Sequence, residues 1–309
     1  MEQDRIMSKT VPFEGPTARW LPDRNSSGRR RLHLSQGPID LVIEAVGDEQ
    51  EVARAYAQAH EAFEMVLEEL ARELPLLRSS NAACPRGRVA RLMHAATAPY
   101  RPEFITPMAA VAGSVADHIL ARLVEGRTLA RAYVNNGGDI ALHLCEGIFR
   151  IGICDDPVTG AAGGVVLLNA NDEIGGIATS GWRGRSHSLG IADAVTVVAR
   201  SAAEADAAAT MIANQVDLPG SPRIERTPAH DLAPDSDLGG RLVTTGVGDL
   251  TRSEIATALA NGETAARSYL ERGLLSAAYL GLAGERRTVS PTTMITHPQN
   301  PFREEPVCA

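Results

Sequence analysis

Arg131-Ala132-Tyr133-Val134-Asn135-Asn136-Gly137-Gly138-Asp139-Ile140-Ala141-Leu142-His143-Leu144-Cys145 is the stretch from which the architecture follows. A β-rich apolar run enters a diglycine turn, meets one carboxylate, and leaves as a second β-rich run, which predicts two antiparallel strands around a tight turn. Glycine admits positive φ and removes side-chain bulk, so another backbone or a ligand can approach beside Asp139. A further apolar run, Phe149 to Cys154, ends in Asp155-Asp156-Pro157-Val158-Thr159-Gly160. Polar groups thus collect where strands stop, as binding loops on a rigid sheet do. The same pattern also describes an ordinary hairpin whose aspartate merely closes the turn.

Towards the N-terminus, Leu32–Gln36 and Ile39–Val46 alternate apolar with polar around Gly37-Pro38 and predict another hairpin. Asp48 caps a predicted long helix over 49–72, stopped by Pro75. Residues 79–104 read as a loop with a short helical turn around 89–96. Thr106-Pro107 opens a helix whose stripe is Met108, Val111, Val115, Ile119 and Leu123, closing at Gly126. Ala112, Gly113 and Ser114 thin one flank of it, for tight packing or a ligand border.

Towards the C-terminus, Val165–Asn169 and Ile174–Ala178 predict strands. Thr179-Ser180-Gly181-Trp182-Arg183-Gly184-Arg185-Ser186-His187-Ser188 is a donor-rich loop, able to hold a phosphate or simply to face solvent. Ala194–Ala199 is a strand, and Ser201 with Glu204 forms a capping box at the start of a helix. Residues 220–240 read as an exposed loop, 242–246 as a strand, 253–272 as a helix and 274–282 as a strand. With no clean linker and no long repeat, the expectation is a single α+β core of mostly antiparallel sheet flanked by helices. Residues 1–31 read as a disordered leader, 32–290 as the domain and 291–309 as an extended tail.

The chain has 309 residues, 44% hydrophobic and 22% charged, with a net charge of -8. That balance fits a globular core and argues against a nucleic-acid surface, which needs clustered Lys and Arg. Cys84, Cys145, Cys154 and Cys308 contain no Cys-x-x-Cys, so reduced thiols in a cytoplasmic setting are expected. The N-terminus lacks a secretion-type apolar segment, and no uncharged apolar run reaches the ~18 residues of a membrane span.

Asp206 and Thr210 stand i, i+4 on one helix, so both oxygens lie on one face. Such a pair can contribute two ligands to Mg2+ or Ca2+, with phosphate oxygens, carbonyls and water completing the shell, or can simply be a polar surface pair.

Taken in order, these motifs resemble the ApbE-like family, related to the FAD:protein FMN transferases, and are closer to its shorter branch, labelled an uncharacterised protein family. The resemblance spans about Gly37 to Ser290. It is carried by Val111-Ala112-Gly113-Ser114-Val115-Ala116-Asp117, Asn135-Asn136-Gly137-Gly138-Asp139-Ile140, Ile151-Gly152-Ile153-Cys154-Asp155-Asp156-Pro157, Ala178-Thr179-Ser180-Gly181 and Ala205-Asp206-Ala207-Ala208-Ala209-Thr210. It implies a T-fold-like core in which FAD or FMN borders Asn135, Gly137, Gly138, Asp139, Thr179, Ser180 and Gly181, with Mg2+ on Asp206 and Thr210. The transferases' His-Ile-x-Asp-Pro-x-Thr-Gly segment is absent: His187 precedes Ser188-Leu189-Gly190, and Asp156-Pro157-Val158-Thr159-Gly160 occurs earlier.

Three functions follow from the resemblance. The first is Mg-dependent transfer of FMN from FAD to a protein serine or threonine, with Asp139 or His187 as the base. The second is a non-catalytic flavin-binding accessory factor for a redox enzyme or for sulfur incorporation into homocysteine. The third is a ligand-free scaffold. Partners are then a flavin nucleotide and a protein acceptor or redox enzyme, without nucleic acid or membrane.

Overall fold

The computed structural model describes residues 15–22, 29–81, 83–156, 160–296 and 307–308. In chain order the strands and helices begin with β1 (Thr17–Leu21), β2 (Arg31–Gln36), β3 (Ile39–Gly47), α1 (Glu49–Phe63), α2 (Val66–Leu77), α3 (Arg88–Thr97) and α4 (Val111–Val124). They continue with β4 (Leu129–Asn136), β5 (Asp139–Leu144), β6 (Ile148–Asp156), β7 (Ala161–Asn169), β8 (Gly176–Ser180), β9 (Ala194–Ala199) and α5 (Ala202–Gln215). The remainder is β10 (Ile224–Pro228), α6 (Ala229–Leu232), β11 (Leu242–Val247), α7 (Arg252–Glu271), β12 (Ala277–Leu282), β13 (Glu285–Val289), β14 (Ile295–Thr296) and β15 (Val307–Cys308).

Nine strands form one sheet in the order β1-β2-β3-β4-β5-β8-β9-β12-β13, antiparallel at every pairing. The expected α+β architecture of antiparallel sheet and flanking helices is what the chain adopts. Strand alternation explains why two layers can cover the sheet. Ala132 and Val134 of β4 and Ala141 of β5 pack with α1–α4, whereas Tyr133, Ile140 and Leu142 pack on the other face against Phe149, Ile151, Ile153, Val166 and Leu168 of β6 and β7. The C-terminal half of the sheet is covered by α5 and α7 through Val195, Val197, Leu280, Ile212 and Leu259.

Several sequence expectations are corrected. The helix predicted over 49–72 is two helices, broken at Glu64-Met65, and Pro75 lies inside the second. The break lets Phe63 of α1 and Val66, Leu67 and Leu70 of α2 all reach the core. Pro75 lies in the last turn of α2, two residues before the buried Leu77. Thr106 does not cap its helix: its hydroxyl donates to Asp237, and a 3-10 turn over Pro107–Ala110 precedes α4. Ser201 accepts from Glu204 N–H, but the Glu204 carboxylate pairs with Arg200, so the predicted box is half formed. The full box stands at Thr251 and Glu254 of α7. The stretch 220–240 is not all loop, since it holds β10 and α6.

Within the stretch read as a leader, residues 17–21 form an edge strand on β2. Within the predicted tail, Ile295–Thr296 pairs with β7 and Val307–Cys308 with β6. The rest of the leader other than 15–22 and 29–31, and the tail residues 297–306 and 309, lie outside the described residues, as do 157–159. The stretch Pro107–Val124 is long and apolar enough to cross a membrane by length and composition, and half of it is buried inside this fold. Its Val115, Ile119 and Leu123 are core residues.

Candidate functional site

The site begins with the β4–β5 turn. Strand β4 stops at Asn136 and β5 starts at Asp139, leaving a two-residue loop in which Gly137 and Gly138 take φ of 66° and 117°. A loop this short needs positive φ at its centre, so the glycines are what the backbone requires. Asn135 accepts from the Gly138 N–H at 2.8 Å and locks the turn. The buried Asn136 donates from Nδ2 to the Ala112 carbonyl at 3.1 Å, tying the turn to the start of α4.

The second part is the pair α4 and α5. Their close approach is set by Gly113, where a Cβ would lie 2.2 Å from the Ala202 carbonyl oxygen. Of the two expectations for the small-residue flank, tight packing is therefore the one realised at Gly113. Each helix then supplies an acidic cap to the other. Asp117 of α4 accepts from Ala202 and Ala203 N–H at 2.9 and 2.8 Å, while Asp206 of α5 accepts from Gly113 N–H at 3.0 Å. Carboxylates at helix N-termini satisfy orphan donors and meet the positive end of the dipole.

Helix α5 runs along β8 from Gly176, where a Cβ would lie 2.1 Å from Ala202 N, towards the end of β8 beside which β5 begins. The Thr179 N–H donates to Asp139 Oδ1 at 3.3 Å, and the Thr179 hydroxyl hydrogen-bonds the Thr196 hydroxyl at 2.8 Å. The negative charge of Asp139 also acts on Asp206 of α5. Enclosure by protein pushes Asp139 up to about 7, opposed by the Thr179 amide and the Arg185 charge. Asp206 is pushed well above the carboxylate range, first by enclosure and then by the negative charge of Asp139. Asp117 is pushed up to about 6 by burial, against its two amide donors. Asp139 and Asp206 both keep some accessible surface.

The residues named from sequence thus divide. Asn135, Gly137, Gly138, Asp139, Thr179 and Asp206 come together, with Ser180 ending β8 beside them and Thr210 one turn beyond Asp206 on α5. Gly181 serves packing, because a Cβ there would lie 2.3 Å from the Asp193 carbonyl oxygen. His187 is exposed, and no hydrogen bond joins it to Asp139 or Asp206. Two residues were missed as members of the site. Asp117 carries a clue in its place one turn beyond Gly113, and Arg185 carries none that separates it from Arg183. In the structure Arg183 pairs with Asp193 at 3.0 Å and stacks on Trp182, while Arg185 lies over Gly137.

A second polar cluster ties the two sheets together away from this turn. Tyr279 donates to Asp155, which also pairs with Arg286 at 2.6 Å. A groove of about 750 Å3 between β1 and α1, lined by Trp20, Arg30 and Tyr56, borders the Gly47 end of β3. The carboxylates lie at the opposite end of that strand, where Leu41 pairs with Asn136.

The family model described as "AbpE bacteria" matches residues 18–288. The chain belongs to the AbpE bacteria family. This agrees with the ApbE-like resemblance carried by the motifs. Similar curated proteins are UPF0280 proteins, whose names state no activity. One from Methanopyrus kandleri is 39% identical over 128 residues, 41% of this chain and 48% of that protein. One from Archaeoglobus fulgidus is 36% identical over 140 residues, 43% and 54% of the two chains. The AbpE chain thus spans about half the length of the curated relatives it matches. Among solved structures, the flavin transferase ApbE from Vibrio cholerae aligns at 13% identity with a TM-score of 0.41, covering 91% of this chain and 98% of that one. The apo flavinyl transferase ApbE of Pseudomonas stutzeri aligns at 13% with a TM-score of 0.36, covering 91% and 96%.

Proposed function

We propose that this protein binds a flavin nucleotide at the cleft between the Gly137-Gly138-Asp139 turn, the end of β8 and helix α5, and transfers the FMN part of FAD to a serine or threonine of a protein acceptor. The observation that carries the reading is the meeting of Asp139 and Asp206. Two enclosed carboxylates raise each other's cost of ionisation, and a divalent cation removes that cost.

The residues present fit such an ion. Among the described residues no three His, Cys, Asp or Glu side chains converge, so an ion here would take further ligands from the substrate and water. Mg2+ is commonly held by one or two carboxylates with substrate phosphates and water. Asp206 accepts from the Gly113 amide, with the Ala112 amide also acting on it; a carboxylate has about four acceptor positions, so it can still ligate an ion, and Thr210 adds a hydroxyl on the same helix face. When bound, the ion supplies neutralisation of the charge that develops on the leaving phosphate.

In the transfer, the acceptor hydroxyl oxygen forms a bond to the FMN-side phosphorus of FAD as the anhydride bond breaks, and AMP leaves with the electron pair. Asp139 takes the hydroxyl proton, the general-base role a positioned carboxylate can fill. The Thr179 amide holds Asp139 in place. His187 is exposed with no hydrogen bond to either carboxylate, so the base role is assigned to Asp139. That exposure also favours the second reading, a flavin-binding accessory factor that lacks the transfer step, in a cytoplasmic setting alongside a redox enzyme or a sulfur-incorporation pathway.

Incubation with FAD, Mg2+ and candidate acceptor proteins, followed by intact-mass measurement, tests the proposal. An FMN-sized increase on an acceptor supports transfer. Flavin binding without any increase supports the accessory factor, and no flavin binding refutes both.

A further inference from the structure

Arg185 occupies an unusual position. Its Nη2 lies 1.5 Å and its Cζ 2.8 Å from where a Cβ on Gly137 would stand, so the guanidinium rests in the space that only glycine leaves open. Arg185 forms no ion pair or hydrogen bond with another described residue, whereas its neighbour Arg183 is bound to Asp193. Its charge nonetheless acts on Asp139, and it is the cation that does so. The backbone on either side is pinned: Trp182 N–H donates to Ala192, Gly184 N–H to Gly181, and Leu189 N–H to Asn214. Only the long exposed side chain has to move for the guanidinium to leave the turn.

Charge arithmetic gives this arrangement a purpose. Asp139 and Asp206 together carry two negative charges when ionised, and one arginine offsets half of that. A divalent cation offsets all of it, which leaves the guanidinium surplus on the turn and available to an anion. Arginine binds phosphate oxygens in bidentate fashion, so a diphosphate arriving with the cation is a ready partner.

We propose that Arg185 is a parked counter-ion: its guanidinium sits on Gly137 and serves Asp139, and binding of a divalent cation releases it to a phosphate oxygen of the nucleotide. The inference rests on the nucleotide-site reading above. Arg185 is thereby a positioning residue with opposite effects on the two ligands: it competes with the metal and recruits the phosphate. Gly137 is then required twice, by the turn and by the parked guanidinium.

Mn2+ and inorganic pyrophosphate serve as probes for the full-length chain, since neither contains a flavin. In Arg185→Gln, Mn2+ alone binds about two- to fivefold more tightly by calorimetry, the scale of an exposed unlike-charge interaction. With Mn2+ saturating, pyrophosphate binds about tenfold more weakly than to wild type, the scale of a lost charged hydrogen bond. Arg185→Lys falls between the two on the pyrophosphate axis. Unchanged or weaker Mn2+ affinity in Arg185→Gln overturns the counter-ion role, and unchanged pyrophosphate affinity overturns the transfer to phosphate. Failure of the flavin reading has a different signature: wild type binds Mn2+ and pyrophosphate but not FAD.

Discussion

Replacing Asp139 by Asn reads out the electrostatic state of the site without any ligand. The carboxyl moves from an ordinary 3.8 to about 7 on folding. A group whose acidity is weakened by folding holds its proton longer in the native state, so stability falls as pH rises from the unfolded value to the folded one. At about 1.4 kcal/mol per pH unit the full cost is on the order of 4 kcal/mol, of which about 2–3 kcal/mol accumulates between pH 5 and pH 8. Access of water to the cleft lowers the observed share of this. Asparagine keeps an oxygen for the Thr179 amide and cannot ionise, and it also relieves the repulsion on Asp206. Thermal unfolding in EDTA should therefore show wild type losing stability from pH 5 to pH 8 relative to Asp139→Asn, by several degrees at about 2 °C per kcal/mol for a chain of this size. Millimolar Mg2+ should flatten the wild-type trend and change the slope of the variant less, since the variant keeps Asp206 and Thr210 but lacks the Asp139 titration. Parallel pH curves for the two proteins in EDTA would refute the reasoning.

The remaining expectations address single contacts. Asp206→Asn, which keeps an oxygen for the Gly113 amide, should fold normally and lose the thermal stabilisation given by Mg2+, while Thr210→Val should lose part of it; both are read by thermal shift. Gly113→Ala should cost about 3 kcal/mol or more in urea unfolding, because its Cβ lands on the Ala202 carbonyl and neither helix backbone can yield cheaply. Asp117→Ala leaves two amides of α5 without their acceptor and should cost about 1–3 kcal/mol in the same assay near pH 8; Asp117→Asn should cost less, since it keeps one acceptor oxygen.

Much of this arrangement was legible because it is carried by local rules. The Gly137-Gly138 turn follows from a loop with positive φ, and Ala194–Ala199 was read as a strand with the bounds it has. The Asp-x3-Thr pair was read on one helix face, and Asp206 and Thr210 do lie one turn apart on α5, where the charge of Asp139 acts on Asp206. What escaped was set by long-range packing. The break after Phe63 depends on where the sheet lies, and the strand at Thr17–Leu21 depends on β2 as its partner. Gly181, which the resemblance sets beside the flavin, also needs its missing side chain to pass the Asp193 carbonyl, and Arg185 looked like Arg183 until one of them found a carboxylate. His187 sits in a motif that departs from the transferases' own, and it stands exposed.

Titration of FAD into the metal-free full-length chain, with and without Mg2+, is the most direct measurement. Saturable flavin fluorescence quenching that requires Mg2+ in wild type and disappears in Asp206→Asn is the expected result. No quenching under either condition, or equal quenching in wild type and Asp206→Asn, would contradict a nucleotide cleft built on those two aspartates.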